Sequence, residues 1–151
     1  MSDYQVWTVS EPFVEPHCKL GEGPFYEAET NSLRFVDIIK HRVHSVSLTD
    51  GPSSLTTLQL DRPVTVTADI EGVDPREKIL IGIKYGLAVL DRKTGEYEYV
   101  AKLEPTDERV RTNDGAADSQ GRFWLGTMTD FDLGEFQPEG TPSPTFPHSH
   151  H

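Results

Sequence analysis

Only one cysteine, Cys18, occurs in the 151 residues, which excludes an intrachain disulfide and suits a reducing compartment. Long apolar runs are missing too. None approaches the roughly 18–20 residues of a membrane span. The first residues, MSDYQVWTVSEP, carry neither a basic n-region nor an apolar h-region, so no secretory signal is expected there. The expectation is a cytoplasmic chain without a membrane partner. Positive charge is scarce: 14 Lys and Arg stand against 25 Asp and Glu, a formal charge of −11. That balance disfavours nucleic acid and anionic lipid as partners. It mildly favours a bound cation, although a solvated acidic surface accounts for most of the charge. No stretch of a dozen residues holds an apolar helical stripe with caps. The motifs G-x-S-x-G, paired C-x-x-C and H-E-x-x-H are absent, so serine hydrolase, zinc-ribbon and zincin chemistry have no motif support. "DGAADSQG" lacks the spacing and closing Glu of an EF-hand loop.

What is present is a repeat. "NSLRFVDI" (31–38), "EKILIGIK" (77–84) and "GRFWLGTM" (121–128) share one pattern, each after a polar turn, with starts 46 and 44 residues apart. "HRVHSVSL" at 41 and "YGLAVLDR" at 85 repeat at the same interval. The runs are short, rich in β-branched and aromatic residues, and bounded by Gly, Pro, Asp and Ser, which is the strand signature. Several strands per unit of about 40–50 residues predict β-propeller blades, which are stable only when their faces pack on neighbours. Blade 1 is expected over Phe13–Asp61 and blade 2 over Arg62–Asp107, with an unfinished blade 3 from Glu108. In blade 3 the turn-rich half of "RTNDGAADSQGRFWLGTM" is expected to join the innermost strand to the next. The innermost strands of a propeller line its central channel. The expected fold is therefore all-β, with about two and a half blades over residues 1–133. Pro138, Pro142, Pro144 and Pro147 predict a disordered tail over 134–151. His148, His150 and His151 in that tail are weak metal ligands at best.

Two short motifs carry candidate chemistry. In "LGEGP" (20–24), Gly21 and Gly23 free the backbone around Glu22, and Pro24 sets the entry to the next strand. Glu22 is then either a carboxylate held at a strand start or a solubilising residue in an exposed turn. In "RTNDG" (111–115), Asn113, Asp114 and Gly115 favour a tight turn. Arg111 and Asn113, two apart, would share one side of a strand and clamp a polyhydroxy substrate. Site and turn weigh about equally on the residues alone. His41 and His44, three apart, are expected on opposite sides as a surface and core pair. Cys18 is expected as a small hydrophobe.

"LGEGPFYEAETNSLRFVDI" followed by "RTNDGAADSQGRFWLGTM" resembles the SMP-30/gluconolactonase/LRE-like family over roughly residues 13–133. The resemblance implies a six-bladed propeller with one divalent cation in its channel and hydrolysis of sugar lactones. Calcium and zinc are the first candidates for the ion, and magnesium and manganese the next. Matched by position, Glu22 is similar to the family's N-terminal metal ligand and Asn113 to the channel asparagine beside metal and substrate. Arg111 matches the substrate-contacting arginine, and Asp114 and Gly115 the turn that presents them.

The family takes an asparagine and an aspartate, the general base, from a second half without counterpart in these 151 residues. Its N-terminal strand, here matched to Tyr4–Val9, completes the last blade. The expectation is thus the front half of a lactonase, truncated and impaired. The alternative is a non-catalytic cation-binding or assembly fragment that self-associates through open blade edges.

Overall fold

The computed structural model describes residues 4–104, 107–131 and 133–145. They form an all-β arrangement of three antiparallel sheets and one short 3₁₀ turn, Pro52–Ser54. The first sheet runs β1 (Gly21–Glu27), β2 (Ser32–Asp37), β3 (Arg42–Ser47), β4 (Thr56–Gln59), in that spatial order. The second runs β5 (Val64–Ala68), β6 (Lys78–Ile83), β7 (Gly86–Asp91), β8 (Tyr97–Lys102). The third joins β9 (Val110–Ala117), β10 (Phe123–Thr129) and β11 (Pro142–Thr145), with β10 in the middle. The three repeated segments are β2, β6 and β10, each the second strand of its sheet. Strand β1 packs against β5, and β5 against β9. Two complete blades and part of a third thus stand side by side with their first strands innermost. Among the described residues no helix is long and apolar enough to cross a membrane.

The burial pattern follows from this stacking. The middle sheet is covered on both faces, so its strands read as continuous apolar runs, "KILIGI" and "GLAVLD". Ile79, Ile81, Ile83, Ala88 and Leu90 meet Val36, Ile38, Val43 and Leu60 of the first blade. Leu87 and Ala101 on the opposite face, with Val66, meet Phe123 and Leu125 of the third. Val64 and Val66 belong to different clusters although they are two apart. An extra residue, Thr65, breaks the alternation: Val64 pairs with Ile83 but Val66 pairs with Gly82. Gly82 leaves room for β5 and the third sheet, because a Cβ there would lie 2.7 Å from Val66 Cγ1, 2.9 Å from Thr65 Oγ1 and 3.2 Å from Leu125 Cδ1.

Polar groups complete the contact between the first two blades. Arg34 is fully buried, donating from Nε to Thr67 Oγ1 at 2.8 Å and pairing through Nη1 with Glu27 at 2.6 Å and Asp69 at 2.7 Å. Nε and Nη1 of this buried guanidinium meet acceptors, two of them carboxylates, whereas Nη2 is buried without a hydrogen-bond partner.

Three expectations change. Asn113, Asp114 and Gly115 lie inside β9, not in a turn; the chain reverses later, through Asp118–Gly121. Gly115 serves packing rather than turn geometry, since a Cβ there would meet Trp124 O at 2.6 Å and Phe123 Cε1 at 2.7 Å. Pro142 to Thr145, expected to be disordered, add an edge strand to β10. Thr127 N donates to Thr141 O at 3.1 Å, so alternate pairs down the ladder are hydrogen-bonded and those at Pro142 and Pro144 are not. Both prolines sit where an N–H would point away from β10, so the edge strand loses no ladder donor. Residues 146–151, with His148, His150 and His151, lie outside the described residues. Tyr4–Val9 joins no sheet, and Tyr4, Val6, Trp7 and Val9 are exposed.

Candidate functional site

Each innermost strand carries one extra residue. In β1 it falls between Glu22, paired with Val36, and Phe25, paired with Arg34. In β5 it is Thr65. In β9 two residues, Asn113 and Asp114, lie opposite the single Gly126, between the pairs Thr112–Thr127 and Gly115–Leu125. A bulge leaves one residue outside the ladder and re-aims its side chain. Glu22 precedes its bulge, and Asn113 lies within its own. Gly23, with φ of 58°, supplies the left-handed conformation that the bulge after Glu22 requires. "LGEGP" and "RTNDG" are thus the same structural device in two blades, on strands that flank β5.

Glu22 is exposed and Asn113 half-buried. Arg111 lies behind them, 1% exposed. Its Nη1 donates to Thr112 O at 2.7 Å and to Asn113 Oδ1 at 3.2 Å, and its Nη2 contacts Met128 Sδ at 3.2 Å. The guanidinium stacks 4.5 Å from the centre of the Phe131 ring. Its Nε has no hydrogen-bond partner but lies 3.3 Å from Asp130 Oδ1 in an ion pair. Burial lowers the Arg111 pKa, and the carboxylates of Asp130 and then Glu22 oppose that shift. Arg111 therefore links the two motifs: it bonds Asn113 directly and lies within electrostatic reach of Glu22. As packed, it orients the Asn113 amide and offers almost no surface to a ligand.

Asp130 and Lys84 support this arrangement. Asp130 Oδ2 lies 2.5 Å from Lys84 Nζ, which also donates to Glu108 O at 2.7 Å. One carboxylate thus balances a lysine of the second blade and an arginine of the third. Thr65 Oγ1 and Thr112 Oγ1 are 2.9 Å apart, joining the innermost strands β5 and β9. Sequence reasoning missed Asp130, Lys84 and this hydroxyl pair because each acts across a sheet boundary. The 44-residue repeat, which sets Lys84 against Met128, was the one signal pointing to the boundary. A groove of about 520 Å³ lies between the first two blades, lined by Glu27, Ser45, Arg76 and Arg92 among others, and includes neither Glu22 nor Asn113.

Blades with bulged innermost strands and an oxygen-bearing pair on them define a partial propeller with a polar channel face. Residues 20–140 match the family model described as the SMP-30/Gluconolactonase/LRE-like region, and the chain belongs to that family. It is 37% identical to the Cell growth-regulated gene 1 protein of Candida albicans over 81% of this chain and 40% of that one. It is 31% identical to a 6-deoxy-6-sulfogluconolactonase of Pseudomonas putida, over 72% of this chain and 35% of the relative. Human regucalcin is 31% identical over 76% and 36%. Among solved structures, a luciferin-regenerating enzyme superposes with a TM-score of 0.67 at 28% identity, covering 78% of this chain and 38% of that one. A regucalcin from Agrobacterium tumefaciens, described as a calcium-binding protein, gives 0.65 at 28% identity over 74% and 36%. The chain therefore spans about two fifths of the length of these relatives.

Proposed function

We propose that this chain carries the first portion of a metal-dependent sugar-lactone hydrolase site. Glu22 and Asn113 are its metal ligands, and Arg111 is the residue that holds Asn113. The single observation that carries the reading is that the bulges of β1 and β9 present Glu22 and Asn113 on innermost strands flanking β5, with Asn113 held by Arg111. Names of relatives that include a gluconolactonase and regucalcins support the same class.

The donors suit the ion. A carboxylate and an amide oxygen are hard ligands of the kind calcium, magnesium and manganese take. Zinc accepts the carboxylate but favours nitrogen and sulfur beside it. Asn113 Oδ1 accepts one bond from Arg111 and keeps a second lone pair, and its amide N–H groups remain available to a lactone hydroxyl. Arg111 pre-orients that amide, so little side-chain freedom is lost when a ligand arrives. A cation bound here polarises a lactone carbonyl and acidifies a bound water. The reaction adds one water across the ester: the acyl carbon gains a hydroxyl, the ring C–O bond breaks, and the ring oxygen takes a proton. Calcium titration of the full chain tests the site. Binding weakened by Glu22→Gln and by Asn113→Ala is expected, and calcium binding indifferent to both would overturn it.

A second reading, an assembly module that binds a cation without turnover, draws on the exposed Tyr4, Val6, Trp7 and Val9. Tyr4 with Val6 and Trp7 with Val9 would give an extended form of this unpaired segment apolar side chains on both faces, which suits strand addition to an open blade edge. Concentration-dependent association lost on Trp7→Ser would favour it.

A further inference from the structure

Just before the β1 bulge, three residues that share no motif meet against the first blade. Cys18 Sγ, an Asp37 carboxylate oxygen and a ring nitrogen of His44 all lie within 4.8 Å of one another. Asp37 ends β2, His44 is in β3, and Cys18 belongs to the irregular segment leading into β1. Phe35, Asp37, Arg42 and His44 share one face of this sheet, because Phe35 pairs with His44 and Asp37 with Arg42. It is the face opposite Arg34, Val36 and Val43, which meet the second blade.

We propose that Cys18, Asp37 and His44 form a binding site for a thiophilic divalent cation of the zinc type, separate from the oxygen site at Glu22 and Asn113. His44 supplies the decisive observation. It is 2% exposed, its Nδ1 is hydrogen-bonded with Thr57 Oγ1 at 2.8 Å, and its Nε2 is buried with no hydrogen-bond partner. A buried ring nitrogen left unpaired is unfavourable, so a ligand on it stabilises the fold. With Nδ1–H donating to Thr57, Nε2 presents a lone pair, the arrangement in which a metal-bound histidine is held by a second partner. The Phe35 ring stacks on the imidazole with centroids 5.0 Å apart and fixes its plane.

Asp37 is prepared in the same way. Oδ2 accepts from Lys19 N at 2.9 Å, and Oδ1 from Leu20 N at 3.2 Å and Lys40 N at 3.1 Å. These bonds hold the carboxylate rigidly and leave Oδ2 with a free lone pair. Cys18 is half-buried and supplies the route from solvent.

The donor set selects the ion. Thiolate, imidazole and one carboxylate suit zinc and exclude calcium and magnesium, which take oxygen. Bonds of about 2.0–2.3 Å in a tetrahedron bring donor atoms closer than 4.8 Å. The Cys18 side chain supplies that approach by rotating, since the backbone on either side of it is bonded to Asp37, Ile38 and Lys40. Lys40 and Arg42 also face this region and oppose a cation. They are engaged elsewhere, Lys40 Nζ with His17 O and Arg42 Nε with Gln59 Oε1 at 2.9 Å. On binding, the Cys18 thiol releases its proton to solvent and the sulfur forms the bond to the ion, with water in the fourth position.

The test uses the full chain, freed of metal by a chelator and titrated with Co²⁺ as the spectroscopic probe. One equivalent should produce a thiolate-to-cobalt charge-transfer band together with the visible bands of a four-coordinate ion, and Zn²⁺ should displace both. Cys18→Ser should abolish the charge-transfer band. His44→Gln and Thr57→Val should weaken cobalt binding by on the order of 10–100-fold. Glu22→Gln should leave the thiolate-to-cobalt band in place, which separates this site from the channel site. Ions held by His148, His150 and His151 would give no thiolate band. No charge-transfer band at stoichiometric cobalt, or a band unchanged in a folded Thr57→Val and His44→Gln, would overturn the site and leave only a thiol hydrogen-bonded to Asp37. Thr57→Val carries the test should His44→Gln fail to fold, as judged by its circular dichroism.

Discussion

Arg92 Nη1 lies 2.5 Å from Glu27 Oε1, a contact that ties the turn after β7 in the second blade to the innermost strand of the first. The same oxygen pairs with Arg34 Nη1 at 2.6 Å, so one carboxylate neutralises two guanidinium groups. Arg92 also donates to Pro75 O at 2.7 Å and to Ser45 Oγ at 2.9 Å. Blade packing here is specified by charge as well as by the apolar cluster. Glu27→Ala leaves Arg34 buried with only the half-exposed Asp69 as an ionic partner. Loss of one member of a buried pair costs about 3–5 kcal/mol. Urea unfolding should show a fall of that order, and a change within about 1 kcal/mol would show that water replaces the carboxylate.

Gly115→Ala should destabilise by about 1–3 kcal/mol, the usual cost of overpacking. The added methyl would stand 2.6 Å from the Trp124 carbonyl oxygen, a backbone atom that yields only if the ladder shifts. Gly126→Ala, across the bulge, meets its nearest atom at 3.4 Å and should change stability by less than about 1 kcal/mol. Equal effects in thermal denaturation would mean that the β9 bulge relaxes freely.

Tyr97 ties alkaline stability to the blade edge. Burial raises its phenol pKa, and the hydrogen bond to Asp61 Oδ1 at 2.7 Å, with the charge of that carboxylate, raises it further. In the unfolded chain the group titrates near pH 10. The folded value is the higher one, so the unfolded chain gives up this proton first as pH rises. The stabilisation is complete below about pH 10 and is lost between there and the folded pKa. Tyr97→Phe should be about 1 kcal/mol less stable near neutral pH. That deficit should shrink as pH rises above 10. A gap that stays constant with pH would mean that the phenol titrates normally in the folded chain.

Residues 1–151 alone should hydrolyse gluconolactone far below the ordinary enzyme range of roughly 1–10³ s⁻¹. Glu22 and Asn113 offer two protein ligands where calcium takes six to eight oxygens, so the ion is held weakly and oriented poorly. No residue of the described site is placed as a general base, a contribution of roughly 10²–10⁴-fold. Acid release would be followed with calcium, zinc, manganese or magnesium added in turn. Metal-dependent turnover in the ordinary range, abolished by Glu22→Gln, would show that copies of the chain complete the channel between them.

Local physics made the blades legible in the sequence. Strand propensity, turn residues and a 44–46 residue period placed β2, β6 and β10 as equivalent strands, because those signals act within one blade. "LGEGP" marked a strand start for the same reason, whereas "RTNDG" read as a turn and lies inside β9. What lies between blades was decided by tertiary structure. Arg111 reads in the sequence as a clamp, yet Phe131, Asp130 and Thr112 enclose it and turn it into a support for Asn113. Gly115 reads as a turn former, yet the Trp124 carbonyl and Phe123 ring require it. Pro142 and Pro144 read as strand breakers, and an edge position two residues apart makes them harmless. Cys18, Asp37 and His44 are separated by 18 and 6 intervening residues and belong to three different segments, so only the folding of the first blade brings their donor atoms together. Period and propensity decide which residues form strands. Bulges and sheet-to-sheet packing, which depend on residues far apart in the chain, decide where side chains point and hence which of them share a site.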